Sequence, residues 1–186
     1  MIYISTDYVF DGTKNTPYNI DDTPNPINQY GYTKKLGEDI IKQTLEKYFI
    51  IRISWVFGIN GNNFIKTMLR LGKERKELNI VSDQIGSPTY TADIAKILMY
   101  IISTNQYGIY HATNSGYCSW AEFADFIFKE AKLDVKVNYI LTEEYITKAK
   151  RPKNSCLDKK SIINIGIKEL PSWQDAVYRY TKEINI

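Results

Sequence analysis

Apolar positions along this chain alternate between short continuous runs and stretches spaced at three and four residues, and each change of period marks a change of element. Residues 2–5 form an apolar run too short for a helix, which predicts a strand at the start. Residues 7–28 carry Asp11-Gly12, Pro17, Pro24 and Pro26 and read as a long loop with turns. From 29 to 48, Tyr32, Leu36, Ile40, Ile41 and Leu45 recur at steps of mostly four, predicting a helix that buries this face, with Asn28 as its N-cap. Residues 49–54 predict a buried strand, and 63–75 a helix with Phe64, Met68, Leu69 and Leu71 inward. Further strands are expected at 78–81, 108–112 and 135–140, and helices at 90–104, from 120 to about 133, and from about 172 onward. Ser119 and Glu122 have capping-box spacing at the start of one of these helices.

Single strands alternating with helices of ten to twenty residues mean βαβ units and a largely parallel sheet, so the fold class is α/β. No linker separates two cores, and 186 residues suit one compact unit.

Composition narrows the function. Apolar residues at 44% and charged residues at 24% exclude a disordered or fibrous chain. No apolar run approaches the roughly 18 residues of a membrane span, and the first residues carry no export signal, so the expectation is a cytoplasmic protein with no membrane partner. A net charge of +3, with the basic residues scattered, gives no reason to expect nucleic acid. Two distant cysteines, Cys118 and Cys156, with one histidine make neither a disulfide framework nor a zinc site. His111 falls in a strand and reads as structural; Trp120 and Trp173 open helices and read as packing anchors. Fifteen tyrosines make phenol chemistry worth tracing, since tyrosine serves as a catalytic acid when a basic group stands near it.

Tyr30-Gly31-Tyr32-Thr33-Lys34 is the strongest local signal. A step of four places Tyr30 and Lys34 on one helical face, one turn apart. An unassisted phenol is a poor acid–base catalyst at neutral pH, and a neighbouring ammonium favours its phenolate form. Such a pair can protonate a carbonyl oxygen while hydride reaches carbon. Alone, the spacing also arises on any solvated helix rich in tyrosine and lysine. Two other segments point to the same place. Thr6 and Asp7 follow the first strand, and Ser54-Trp55 end the second, so in a parallel sheet all lie at the carboxyl edge, where open α/β sheets bind ligands.

The string Ser5-Thr6-Asp7-Tyr8-Val9-Phe10-Asp11-Gly12, then Pro24, Asn28, Tyr30-Gly31, Thr33-Lys34, and Arg52-Ile53-Ser54-Trp55-Val56-Phe57-Gly58, resembles the dTDP-4-dehydrorhamnose reductases of the extended short-chain dehydrogenase/reductase superfamily. The resemblance continues in Gly61-Asn62-Asn63-Phe64, Asp83-Gln84, Gly86, Pro88-Thr89, Arg151-Pro152, Asn154-Ser155, Leu157, Leu170-Pro171 and Trp173. It implies NADPH- or NADH-dependent reduction of a dTDP-linked 4-keto-6-deoxy sugar to dTDP-rhamnose. On the matching positions it implies Tyr30 as proton donor, Lys34 as its partner and a contact to the nicotinamide ribose, and Thr6 as third catalytic member. Asp7, Trp55, Arg151 and Asn154 are implied substrate contacts, Arg151 for phosphate, which suits a guanidinium.

The glycine-rich turn that seats a dinucleotide pyrophosphate is missing: none of the ten glycines forms G-x-G-x-x-G. By the resemblance, the first strand here matches the fifth of a Rossmann sheet, and about the first hundred residues of such a reductase have no counterpart. The expectation is a Rossmann-like remnant over 1–112 and a smaller substrate-binding α/β part over 113–186, binding NAD(P)H feebly alone. Some members dimerise through a metal held by acidic residues. Ala92 stands where one such carboxylate is expected, so no metal is assigned and a homodimer is left open. Two other functions compete. A dehydratase or epimerase is one, but dehydratases follow the Thr-Asp pair with Glu and this chain has Tyr8. A non-catalytic nucleotide-sugar-binding or regulatory subunit on the same fold is the other.

Overall fold

A computed structural model describes residues 1–145, 147 and 149–186 of the chain. Strand β1 (Ile2–Thr6) opens it, a single 3₁₀ turn (Asp7–Val9) follows, and a long loop leads to helix α1 (Gln29–Thr44). Then come β2 (Phe49–Ile53), β3 (Val56–Phe57), α2 (Phe64–Glu74), β4 (Glu77–Val81), β5 (Ile85–Gly86), β6 (Thr89–Tyr90) and α3 (Thr91–Ile101). The chain continues through β7 (Gly108–His111), β8 (Cys118–Ser119), α4 (Trp120–Glu130) and β9 (Lys136–Ile140) to the short α5 (Lys160–Ile163) and α6 (Trp173–Glu183). The expected strands and long helices are present, with ends that match or shift by at most four residues. The two-residue strands and α5 carry too few residues to show a period.

Strands β1, β2 and β7 form a parallel sheet in that order, with Thr6 opposite Ile53 and Arg52 opposite both Ser5 and His111. Separately, β4 pairs with β9 in parallel. One side of the main sheet packs Ile51, Phe49 and Tyr110 against Ile94, Ile97 and Ile101 of α3. A second apolar cluster joins α2, α4 and α6 through Ile65, Met68, Phe123, Ile127, Trp173 and Tyr180. In α2 the buried residues are Ile65, Met68 and Leu69, with Phe64 and Leu71 only partly covered.

Helix α1 corrects the sequence reading. Asn28 caps it as expected, its Oδ1 accepting from the Gly31 N–H at 2.8 Å. The apolar stripe faces outward: Tyr32, Leu36, Ile40 and Leu45 are 54%, 47%, 51% and 38% exposed, and of the predicted face only Ile41 is buried. The face against the sheet carries Gly31, Gly37 and Glu38 instead. A Cβ at Gly31 would meet the Tyr8 carbonyl oxygen at 2.0 Å, and one at Gly37 the Tyr3 hydroxyl at 2.3 Å. The helix therefore lies so near the strand that its glycines, not its large apolar residues, set the contact. Glu38 finds its partner in the sheet, where Arg52 is buried. Hydrophobic period reports which residues share a face, and close approach with ion pairing decided which face went inward.

Candidate functional site

Parallel pairing with Thr6 opposite Ile53 carries the chain off β1 and β2 at one edge of the sheet. A cavity of about 480 Å³ opens there, lined by Thr6, Asp7, Tyr8, Tyr30, Lys34, Trp55, Phe64, Trp120, Phe123 and Arg151, among others. Thr6, Asp7, Tyr30, Lys34, Trp55 and Arg151, six of the residues singled out in the sequence, thus meet in one place. The seventh, Asn154, does not line this cavity. Its Nδ2 donates to the carbonyl oxygens of Lys14 and Thr16 at 2.7 and 2.9 Å, and its Oδ1 accepts from the Cys156 N–H at 2.9 Å. Its amide is spent on holding the 14–16 loop.

Thr6 ends its strand and caps the following 3₁₀ turn, its Oγ1 accepting from the Tyr8 N–H at 3.2 Å and donating to Asp7 Oδ1 at 3.0 Å. Asp7 is 3% exposed, and its Oδ2 lacks a well-formed hydrogen-bond partner among the described residues. Burial raises its pKa to about 6, against the opposing hydrogen bonds of Ser155 and Thr6. Tyr8 beside it is pushed up to about 12, first by burial and then by the Asp7 charge. The Tyr30 ring meets Tyr8 edge to face at 5.9 Å and is 55% exposed, so its hydroxyl is accessible to a ligand. One turn on, Lys34 Nζ lies 4.3 Å from the centre of the Tyr3 ring, and the Tyr3 hydroxyl donates to the Lys34 carbonyl at 3.3 Å.

Trp55 sits at φ 47°, a left-handed conformation that costs a bulky side chain on the order of 1–3 kcal/mol and clusters at functional sites. The Thr89 N–H donates to its carbonyl at 3.1 Å, and its ring stacks on Trp120 with centroids 3.5 Å apart. Gly86 lies against the indole so closely that a Cβ would meet Cε2 at 2.5 Å. Trp120 packs against the second apolar cluster, as its place at a helix start suggests, and it also lines the cavity, where it forms an aromatic wall with Trp55 and Phe64. Its place at the cavity follows from the β5–β8 pairing, which sets Ser119 opposite Ile85, and those two-residue strands leave no sequence period. Trp173 is buried in the second apolar cluster, edge-on to Phe123.

His111 is buried and neutral, its pKa lowered to about 3 by burial and by the Arg52 guanidinium. Burial also pushes the Cys156 thiol up to about 11 and raises that of Cys118, so neither is disposed to react. No cluster of three or more His, Cys, Asp or Glu suited to a metal occurs among the described residues, and no helix there is long and apolar enough to cross a membrane.

Hydroxyls from Thr6 and Tyr30, an ammonium, a protonatable carboxyl, a guanidinium and an indole wall together suit a polar ring carrying a carbonyl at one end and phosphate at the other. The spore coat polysaccharide biosynthesis protein SpsK of Bacillus subtilis is 46% identical over 182 residues, aligned to 98% of this chain and 64% of its own length. A dTDP-4-dehydrorhamnose reductase of Aggregatibacter actinomycetemcomitans is 44% identical, with 95% of this chain and 64% of that protein covered. The crystal structure of the dTDP-4-dehydrorhamnose reductase from Bacillus anthracis in complex with NADP superposes with a TM-score of 0.95 at 47% identity, over 98% of this chain and 65% of that one. The chain thus spans about two thirds of the length of these relatives. The model of the RmlD substrate binding domain matches residues 1–186 from end to end, and with that match the chain belongs to the RmlD substrate binding domain family.

Proposed function

We propose that this chain forms the sugar-binding and proton-donating part of a reductase that converts dTDP-4-dehydrorhamnose to dTDP-rhamnose. The observation that carries the reading is the meeting of Thr6, Tyr30 and Lys34 with Trp55 and Arg151 in one cavity at the carboxyl edge of a parallel sheet. Trp55 and Trp120 make the wall against which the sugar ring lies, and Arg151 pairs with the diphosphate. Thr6 hydrogen-bonds the C4 carbonyl oxygen. Tyr30 delivers a proton to that oxygen as the carbonyl becomes an alcohol, and Lys34, one turn on along the same helical face, lines the cavity beside it. NADPH or NADH, when bound, would supply the hydride, and the exposed Tyr30–Lys34 face at the cavity would hold its nicotinamide ribose end. In this reading residues 1–112 supply the proton-transfer face, and 113–186 supply Trp120 and Arg151 on the sugar-nucleotide side. The cytoplasm, where thiols stay reduced, is the compartment it assigns, in keeping with two free cysteines.

The test is Tyr30→Phe in the full-length protein, with NADPH-dependent turnover and dTDP binding measured side by side. Turnover is expected to fall on the order of 10²- to 10⁴-fold, the usual worth of a positioned general acid, with dTDP affinity nearly unchanged. Undiminished turnover would exclude Tyr30 as the donor. A complete lack of reductase activity in the wild type together with tight dTDP-sugar binding would favour a non-catalytic binding subunit.

A further inference from the structure

One buried ion pair lies behind the cavity and takes no part in the chemistry above. Tyr30, Lys34 and Glu38 follow one another at steps of four on α1, so Glu38 continues the Tyr30–Lys34 face one turn further along. Glu38 is 0% and Arg52 1% exposed. Arg52 Nη2 donates to Glu38 Oε2 at 2.7 Å and Arg52 Nε to Oε1 at 2.9 Å, a bidentate fork. The Ser5 hydroxyl donates to the same Oε1 at 2.5 Å. On its far side Arg52 Nη1 lies 3.3 Å from His111 Nε2, and because guanidinium only donates, that nitrogen accepts and the histidine proton is on Nδ1.

These partners occupy one row of the sheet: Ser5 pairs in register with Arg52, and Arg52 with His111. The next residue of β1 is Thr6. The Glu38 carboxylate therefore ties the helix that carries Tyr30 and Lys34 to β2 through the Arg52 fork and, through the Ser5 hydroxyl, to the strand position immediately before the third proposed catalytic group. It is rigid where it acts, because both side chains are fully enclosed and the Phe10 ring covers the guanidinium, 5.0 Å away.

We propose that Glu38 and Arg52 are positioning residues, a buried clamp that sets α1 against the paired strands β1 and β2 and so fixes Tyr30 and Lys34 relative to Thr6. The proposal rests on the reductase reading and adds to it the residues that hold its geometry. Stability alone is a weak reason for such a pair, since replacing a buried ion pair by apolar residues of similar size is often neutral or stabilising. Geometry is a stronger one, because a displacement of about 1 Å in a catalytic constellation can cost on the order of 100-fold in rate.

The experiment is the double substitution Glu38→Leu/Arg52→Met in the full-length protein, which removes both charges and leaves neither buried alone. Melting temperature, kcat and KM are measured beside wild type and Tyr30→Phe. The clamp predicts a folded protein whose kcat falls on the order of 10- to 100-fold while KM moves little. It also predicts partial return of kcat in Glu38 with Arg52→Lys, which keeps the charge and loses the fork. A folded double variant with wild-type kcat overturns the proposal. Should the double variant fail to fold, the single Arg52→Lys variant decides, because it keeps the buried charge paired and breaks the fork: a lower kcat at unchanged KM supports the clamp, and an unchanged kcat refutes it. Full turnover in Tyr30→Phe brings down the reductase reading, and the clamp with it, whereas loss in Tyr30→Phe with none in the clamp variants brings down the clamp alone.

Discussion

Asp7 offers a stability test that needs no substrate. Its carboxyl is buried, its Oδ2 lacks a well-formed partner among the described residues, and its pKa rises from 3.8 to about 6. At about 1.4 kcal/mol per unit, holding that carboxylate charged in the native state costs on the order of 3 kcal/mol. The sign follows from proton binding. Between 3.8 and about 6 the native state holds the proton more tightly than the unfolded chain, so stability falls as pH rises through that window. Above it the full cost stands, and below it the cost is gone. Asp7→Asn removes the charge at every pH. Its amide introduces a donor that needs a partner, offsetting about 1–3 kcal/mol, so the gain near pH 7 is expected to be about 1–2 kcal/mol at most. The slope is the sharper signature. Urea unfolding of wild type and Asp7→Asn from pH 4 to 8 should show the difference in stability growing by about 2–3 kcal/mol up to roughly pH 6 and then levelling. Parallel stability curves across that range would refute a buried, charge-strained carboxyl at this site. A gain in stability here is the expected companion of function, since residues that hold a site ready are often destabilising in its absence.

Two further outcomes follow from the packing. Gly86→Ala places a methyl 2.5 Å from Trp55 Cε2, so it should cost about 1–3 kcal/mol and weaken the Trp55–Trp120 stack, seen as a change in near-ultraviolet circular dichroism; unchanged dichroism and melting would contradict the close contact. Ser119→Ala breaks the capping box in which Ser119 Oγ accepts from the Glu122 N–H at 3.1 Å and Glu122 Oε2 accepts from the Ser119 N–H at 2.7 Å. A loss of about 1 kcal/mol in urea unfolding is expected, and a change below a few tenths would show that α4 is held by its packing alone.

The local signals were legible wherever neighbours in sequence are the cause. Asn28 and Ser119 cap their helices because a side-chain oxygen two or three residues away is enough to satisfy an orphan N–H. The four-residue step puts Tyr30 and Lys34 on one face whatever surrounds them, and the alternation of strand and helix makes a parallel α/β sheet, which in turn places Thr6 and Trp55 at one edge. Asn154 and Trp120 could not be read this way. The Asn154 amide is taken up by carbonyls of residues 14 and 16, more than a hundred positions away, and Trp120 reaches the cavity only because β8 docks on β5.

Helix α1 draws the line most clearly. Its sequence determined that a helix forms, where it starts, and that Tyr32, Leu36 and Ile40 share a side with one another while Tyr30, Lys34 and Glu38 share another. Tertiary structure alone decided which side meets the sheet. Gly31 admits the backbone of the turn after β1, and Gly37 the Tyr3 side chain of β1, at distances no Cβ allows, and Arg52, brought opposite by β2, gives the buried Glu38 a charge to pair with. Periodicity records the angle between side chains on one element. It holds no record of which neighbour will arrive, and burial and charge pairing depend on the neighbour.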